Sequence, residues 1–169
     1  MPASTAPARA ASSAPEGLVR WLGLAGWIAL SFAASVGGAA TDPSVYARLE
    51  TPSWSPPAWL FGPVWTVLYA LMGTAAWLVW LQGGWRAQRV PLTLFLVQLA
   101  LNALWTPVFF GADLRGWALV VIVLLLASLT ATLVAFWRVR PLAGALLVPY
   151  LAWVSFATAL NASLWWLNR

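Results

Sequence analysis

The sequence contains no cysteine and no histidine, and all nine of its cationic side chains are arginine. The lack of cysteine excludes disulfides and thiol chemistry, and the lack of histidine excludes a Ser-His or Cys-His nucleophile. The usual side-chain ligands of zinc and haem iron are missing, so no metal site is expected. Only four acidic residues occur, and none interrupts an apolar run, so a buried carboxylate pair is not supported.

Charged residues make up 8% of the chain and hydrophobic residues 62%. Soluble domains carry about 25% charged residues, so this chain cannot cover itself with a polar surface. The composition therefore predicts an integral membrane protein. The arginines are scattered between apolar runs, which argues against a nucleic-acid partner and makes them topology signals.

Five apolar runs are each close to the roughly 20 residues that cross a bilayer as a helix. They predict an all-α bundle of five transmembrane helices in one domain over residues 17–169, preceded by a disordered tail over residues 1–16. Small residues end the first run, so an alternative is a signal peptide that is cleaved there. The predicted helices are 18–40, 58–81, 91–110, 117–137 and 142–166.

Five spans place the two termini on opposite sides of the membrane. Six arginines fall on the N-terminal side and three, Arg48, Arg115 and Arg169, on the other. The positive-inside rule then predicts an inside N-terminus in a bacterial-type cell membrane, with the first loop outside.

The first loop, residues 41–57, is the one long connection between predicted helices. A rigid aromatic segment begins within it and continues into the second helix. That segment reads Pro52-Ser53-Trp54-Ser55-Pro56-Pro57-Ala58-Trp59. Proline fixes φ and restricts the residue before it, while indole rings suit membrane interfaces and flat ligands. The segment predicts a lid over a binding site.

Aromatic and polar side chains share helix faces below this lid, and counting residues puts Trp65, Asn102 and Trp153 about 10 to 18 Å beneath it. Taken alone, a deep tryptophan is more often a packing residue, and a polar stripe more often joins helices. The amides should point inward, because polar groups in a bilayer need partners. The helix faces comprise Trp65 and Tyr69; Gln98, Asn102 and Thr106, beside Trp105 and Phe109; and Pro149, Trp153, Ala157 and Asn161.

Several ordered blocks then make the chain recognisable: Tyr46-x-x-Leu49-x-x-Pro52-Ser53-Trp54-x-Pro56-Pro57, Phe61 to Tyr69, Gln98 to Gly111 and Pro149 to Asn161. Over residues 18–168 they resemble the TspO/MBR family of tryptophan-rich sensory proteins and mitochondrial translocator proteins. The resemblance implies a five-helix bundle, often a homodimer, with one pocket beneath the first loop that binds porphyrins, sterols or benzodiazepine-type compounds. By position, the implied pocket residues are Tyr46, Pro56, Trp65, Asn102, Trp105, Thr106, Trp153 and Ala157.

The resemblance also links Trp65 and Trp153 to light-dependent protoporphyrin breakdown in some bacterial members. The sequence departs from the sterol-binding members of the family near the C-terminus, where Ala162 and Trp166 stand in place of the expected tyrosine and cation. Tight sterol recognition at that place is therefore not expected.

We therefore expect a membrane receptor or sensor for protoporphyrin-like tetrapyrroles, with no obligatory cofactor and with lipid as its surroundings. Tyr69 and Phe109 are further candidate ligand residues. Arg48 and Arg115 are candidate partners for propionates, although Arg48 can equally pair with Glu50 or Asp42. The alternatives are a light-dependent porphyrin oxidase that uses the two tryptophans, and a porphyrin or sterol transporter.

Overall fold

The computed structural model describes residues 17–36, 46, 48–112 and 114–169, and this part of the chain is helical, with turns between the helices. A 3-10 turn, Ala58–Leu60, leads into the second long helix, and a π-helical turn, Pro107–Gly111, continues the third. A helical turn over Gly84–Ala87 lies in the connection between them. The long helices are α1 Gly17–Ala33, α2 Phe61–Trp80, α3 Arg89–Thr106, α4 Arg115–Val139 and α5 Pro141–Leu167.

Four segments are long and apolar enough to cross a membrane, and α1 is a shorter apolar helix of 17 residues. The outward faces of the long helices carry large hydrophobic side chains, such as Val67 and Val123, which a bilayer would cover. The predicted all-α, multi-pass integral membrane bundle is thus confirmed. The four spanning segments are Ala58–Trp80, Arg89–Gly111, Arg115–Val139 and Pro141–Leu167.

The predicted first helix, 18–40, can be compared with the structure only as far as Val36, because residues 37–40 lie outside the described residues. The helix ends at Ala33, and Ala34 and Ser35 form a turn. Ser35 Oγ donates to the Phe32 carbonyl at 2.7 Å, and so satisfies a carbonyl near the helix end without continuing the helix. The predicted tail 1–16, the cleavage site near residue 40 and the lid residues 41–45 lie outside the described residues.

The third predicted helix, 91–110, changes its winding before its end. Pro107 has no N–H, and its ring conflicts with regular α-helical winding. The following turn is wider, and the Ala112 amide donates to the Pro107 carbonyl at 2.9 Å. The predicted bounds of the other three helices agree with the spanning segments to within two residues.

The helices pack as a chain of neighbours: α2 contacts α1 and α5, and α4 contacts α3 and α5. The approach of α1 to α2 is closest at Gly73, where an added Cβ would lie 2.5 Å from Ile28 Cα. Ala25, Ala29 and Ala33 form a ridge of small residues on α1, and this ridge faces outward.

Candidate functional site

A hydrogen-bonded centre joins α2, α3 and α5. Tyr69 Oη donates to Asn102 Oδ1 at 2.9 Å, and Asn102 Nδ2 donates to Tyr150 Oη at 3.0 Å. All three side chains are buried. Polar groups inside a bilayer must find partners within the protein, so Asn102 satisfies both ends of its amide by tying two other helices to its own.

Trp65 covers this centre with its indole ring. Its centroid lies 5.3 Å from that of Tyr69, in a stacked arrangement, and 6.0 Å from that of Tyr150, edge to face. Trp65 and Tyr69 are four residues apart and therefore share one face of α2. The structure thus brings Trp65, Tyr69 and Asn102 together.

A row of aromatic rings lies one helical turn nearer the first loop. Phe61 lies between Tyr46 and Trp153 in the row, with centroid distances of 5.6 Å to Tyr46 and 5.8 Å to Trp153. Trp153 in turn contacts Phe156 at 5.6 Å, and Phe156 contacts Trp54 of the lid at 5.7 Å. We call these five residues the upper ring row.

Two polar groups in the upper ring row lack a hydrogen-bond partner among the described residues. Tyr46 Oη and Trp153 Nε1 are both buried, and neither has a hydrogen-bond partner among the described residues. An unsatisfied buried polar group costs about 1–3 kcal/mol. Such groups in a folded protein call for an explanation, and a bound molecule is one.

Phe109 belongs to a second core cluster, against which Trp105 packs together with Tyr46, Phe61 and Phe156 of the upper ring row. Trp105 Nε1 donates to Asn161 Oδ1 at 3.0 Å, and Asn161 Nδ2 donates to the Arg115 carbonyl at 3.1 Å. Phe109 is buried beside Trp105, with a centroid distance of 5.3 Å. This arrangement joins α3 to α5 and to the start of α4.

The described part of the lid is held by the last residues of the chain. The Glu50 amide donates to Asn168 Oδ1 and Asn168 Nδ2 donates to the Glu50 carbonyl, both at 2.9 Å. Arg115 Nη1 donates to the Asn168 carbonyl at 3.3 Å. We call the paired Glu50–Asn168 bonds the lid latch. They hold Glu50 against the C-terminal end of α5.

The predicted site residues thus fall into neighbouring groups, and Trp105 packs against both core clusters. Trp65, Tyr69 and Asn102 form the centre, and Tyr46 and Trp153 join the upper ring row. Ala157 packs against the main core, Phe109 belongs to the second cluster, Thr106 ends α3, and Pro56 is half-buried in the lid.

Sequence reasoning missed three residues that complete these groups. Tyr150 lies three residues before Trp153, and Phe61 lies four before Trp65, so helical spacing already placed both on the predicted faces. Asn168 gave no such signal, because its partner Glu50 is 118 positions away. The inward orientation predicted for Gln98, Asn102 and Asn161 is confirmed, since all three are buried.

Comparison with known proteins finds one family profile and several similar relatives. The TspO/MBR family profile matches residues 24–167. The human translocator protein is 51% identical over 122 residues, which cover 71% of this chain and 72% of the relative. The tryptophan-rich protein TspO of Chlorobaculum tepidum is 49% identical over 125 residues, 73% of this chain and 78% of the relative.

A tryptophan-rich sensory protein of Cereibacter sphaeroides is 42% identical over 139 residues, 78% of this chain and 85% of the relative. The match covers all the elements that form the centre and the upper ring row. The chain therefore belongs to the TspO/MBR family of membrane proteins.

Proposed function

We propose that this protein is a membrane receptor or sensor that binds a flat, protoporphyrin-like tetrapyrrole between α2 and α5, beneath the first loop. The observation that carries the proposal is the upper ring row with its two buried donors, Tyr46 Oη and Trp153 Nε1, which have no hydrogen-bond partner among the described residues. Aromatic rings provide stacking surfaces for a flat apolar ligand. These two donors can provide hydrogen bonds that its polar substituents accept.

Binding would exchange ring–ring contacts for ring–ligand contacts. Phe61 separates Tyr46 from Trp153, with centroids less than 6 Å away on both sides. A tetrapyrrole inserted here would displace Phe61 and stack on Trp153, with Trp65 one turn deeper. Its carboxylates would point to the first-loop side, where Arg48 and Arg115 lie.

A protoporphyrin titration of the purified protein, followed by tryptophan fluorescence, tests the proposal. The double variant Trp65→Phe/Trp153→Phe should bind at least about tenfold more weakly, a loss of about 1.4 kcal/mol. The matched control is Trp85→Phe/Trp117→Phe, which removes two exposed tryptophans outside both ring clusters. Equal affinity of the two double variants would refute the site.

A carrier is the second candidate, because the human, pig, sheep and cattle relatives bear the name translocator protein. The four spanning segments carry charges only near their ends, so ion-coupled transport has no intramembrane charge to use. A carrier of this kind would therefore move its ligand across the membrane passively. Protein-dependent uptake of protoporphyrin into liposomes, abolished by Trp65→Phe/Trp153→Phe, would establish a carrier over a sensor.

Light-dependent breakdown of the bound ligand is a separate property of the same proposed site. Trp65 and Trp153 would supply electron-rich indoles, and oxygen would be the oxidant. Illumination under oxygen should bleach the porphyrin absorption, while illumination under argon should not. An unchanged spectrum under oxygen removes this activity and leaves binding standing.

A further inference from the structure

A groove opens on the lipid-facing side of the bundle between α2 and α5. It has a volume of about 650 Å³, which is in the range of small-molecule sites. Its α2 wall begins three residues into the helix, roughly 5 Å below the helix start. Its lining residues are Pro63, Val64, Val67, Leu68, Pro149, Ala152, Trp153 and Phe156.

The groove and the proposed tetrapyrrole site share a wall. Trp153 and Phe156 line the groove, and both belong to the upper ring row. The Trp153 ring also contacts Phe61 at a centroid distance of 5.8 Å. A molecule lying in the groove is therefore separated from the site by one layer of side chains.

On the aqueous side, the described lid residues make contacts with the end of the bundle. The lid latch joins Glu50 to Asn168 through two hydrogen bonds of 2.9 Å. Trp54 of the lid also packs edge to face on Phe156. A ligand that arrives from water past residues 48–57 meets these contacts, whereas one dissolved in the bilayer meets the groove directly.

We propose that the groove is the lateral portal through which a flat apolar ligand passes from the bilayer into the site. This inference rests on the proposed function, since the ligand is the one proposed above. The entering molecule is flat and apolar and carries a hydrogen-bond acceptor. The acceptor takes a hydrogen bond from the buried Trp153 Nε1–H, a donor with no partner in the described part of the chain.

Filling the groove tests the portal. Val67→Phe/Ala152→Phe adds two rings to the groove wall, and Val123→Phe is the matched control. Val67 and Val123 are 58% and 49% exposed, and Val123 lies outside the groove. Protein in lipid vesicles is mixed with vesicles that carry protoporphyrin, and quenching of tryptophan fluorescence is followed in time.

The groove-filled variant should bind at least about tenfold more slowly, with an equilibrium affinity within about twofold of the wild type. The Val123→Phe control should bind at the wild-type rate. Loss of equilibrium affinity in a folded groove-filled variant would overturn the portal, because the groove would then be the binding site itself. An unchanged rate would overturn it as well.

A second test closes the lid covalently and leaves the groove open. The chain has no cysteine, so Glu50→Cys/Asn168→Cys has only two thiols, and a short bis-maleimide can join them across the latch. The joined protein should take up protoporphyrin from vesicles at a rate within about twofold of the wild type. A much slower rate would place the entry at the lid and overturn the portal.

A third measurement does not depend on protoporphyrin binding. Phe61→Cys places a single thiol inside the site, and pyrene maleimide, a flat apolar probe, is dissolved in the bilayer. The thiolate adds to the maleimide double bond, a thioether forms, and no group leaves. Val67→Phe/Ala152→Phe should slow this labelling about tenfold or more. Unslowed labelling overturns the portal, whereas failure of protoporphyrin to bind the wild type overturns only the proposed ligand.

Discussion

Asn102 is the residue that joins the other two hydrogen-bonding residues of the centre, Tyr69 and Tyr150. Its amide oxygen accepts from Tyr69 and its amide nitrogen donates to Tyr150, so one side chain satisfies the phenols of two other helices. Inside a bilayer the gain from each bond is modest, about 0.6 kcal/mol on average. Leaving a buried group without a partner costs more, about 1–3 kcal/mol.

Asn102→Leu should therefore lower the free energy of unfolding by about 1–3 kcal/mol. Tyr69→Phe removes only one of the two bonds and should cost about 0.5–1.5 kcal/mol. Both values can be measured by denaturation with SDS in mixed micelles. Wild-type stability in Asn102→Leu would show that the network does not stabilise the bundle.

Gln98 presents the reverse situation one turn below Asn102. Its side chain is 0% exposed, and neither amide atom has a hydrogen-bond partner among the described residues. Gln98→Met keeps the shape of the side chain and removes the unsatisfied atoms. This variant should raise the free energy of unfolding by about 1–2 kcal/mol in the same assay.

The control for Gln98 is Gln82→Met, which lies in an exposed turn and should change stability by no more than about 0.5 kcal/mol. A loss of stability in Gln98→Met would mean that the amide holds a buried water or another polar molecule.

At the scale of elements, α1 depends on a close approach to α2. Gly73 permits this approach, because an added Cβ would lie 2.5 Å from Ile28 Cα and 2.8 Å from Ile28 N. Both atoms are backbone, so the whole helix must move to make room. Small residues at membrane helix contacts allow such packing.

Gly73→Ala should lower the free energy of unfolding by about 1–3 kcal/mol, the usual cost of overpacking. Gly62→Ala is the matched control on the same helix, since no atom lies within 4 Å of its added Cβ. The control should be neutral, or more stable by up to about 1 kcal/mol through helix propensity. Equal effects at the two glycines would contradict the close α1–α2 contact.

At the scale of the whole molecule, the lid latch joins two parts of the chain that are distant in sequence. Asn168 also accepts a bond from Arg115 through its carbonyl, so the latch, α4 and α5 meet at one place. Because two hydrogen bonds support it, the latch should contribute about 1–2 kcal/mol to lid closure.

Asn168→Ala should therefore raise amide hydrogen exchange in residues 48–57 by about 5- to 30-fold, which corresponds to that free energy. Ser163→Ala is the control, because its hydroxyl donates to the Ala159 carbonyl of its own helix, at 3.0 Å, and does not take part in the latch. Hydrogen-exchange mass spectrometry measures both. Unchanged exchange in Asn168→Ala would mean that the aromatic contacts hold the lid without the latch.

Much of this architecture followed from the sequence. Apolar length predicted the spanning helices, because a bilayer demands about 20 apolar residues wherever the chain crosses it. Helical spacing placed Trp65 and Tyr69 on one face, and the need to satisfy amides in a bilayer turned Gln98, Asn102 and Asn161 inward. These properties depend on local periodicity and on the solvent, and neither requires knowledge of which helices are neighbours.

Only the tertiary structure decided which of these faces meet. It placed Phe109 in a second core cluster, connected Tyr46 to Trp153 through Phe61, and paired Glu50 with Asn168. It also ended α1 at Ala33 and opened the groove between α2 and α5. Such contacts depend on the lateral order and rotation of the helices, which packing between distant segments determines and local sequence does not encode.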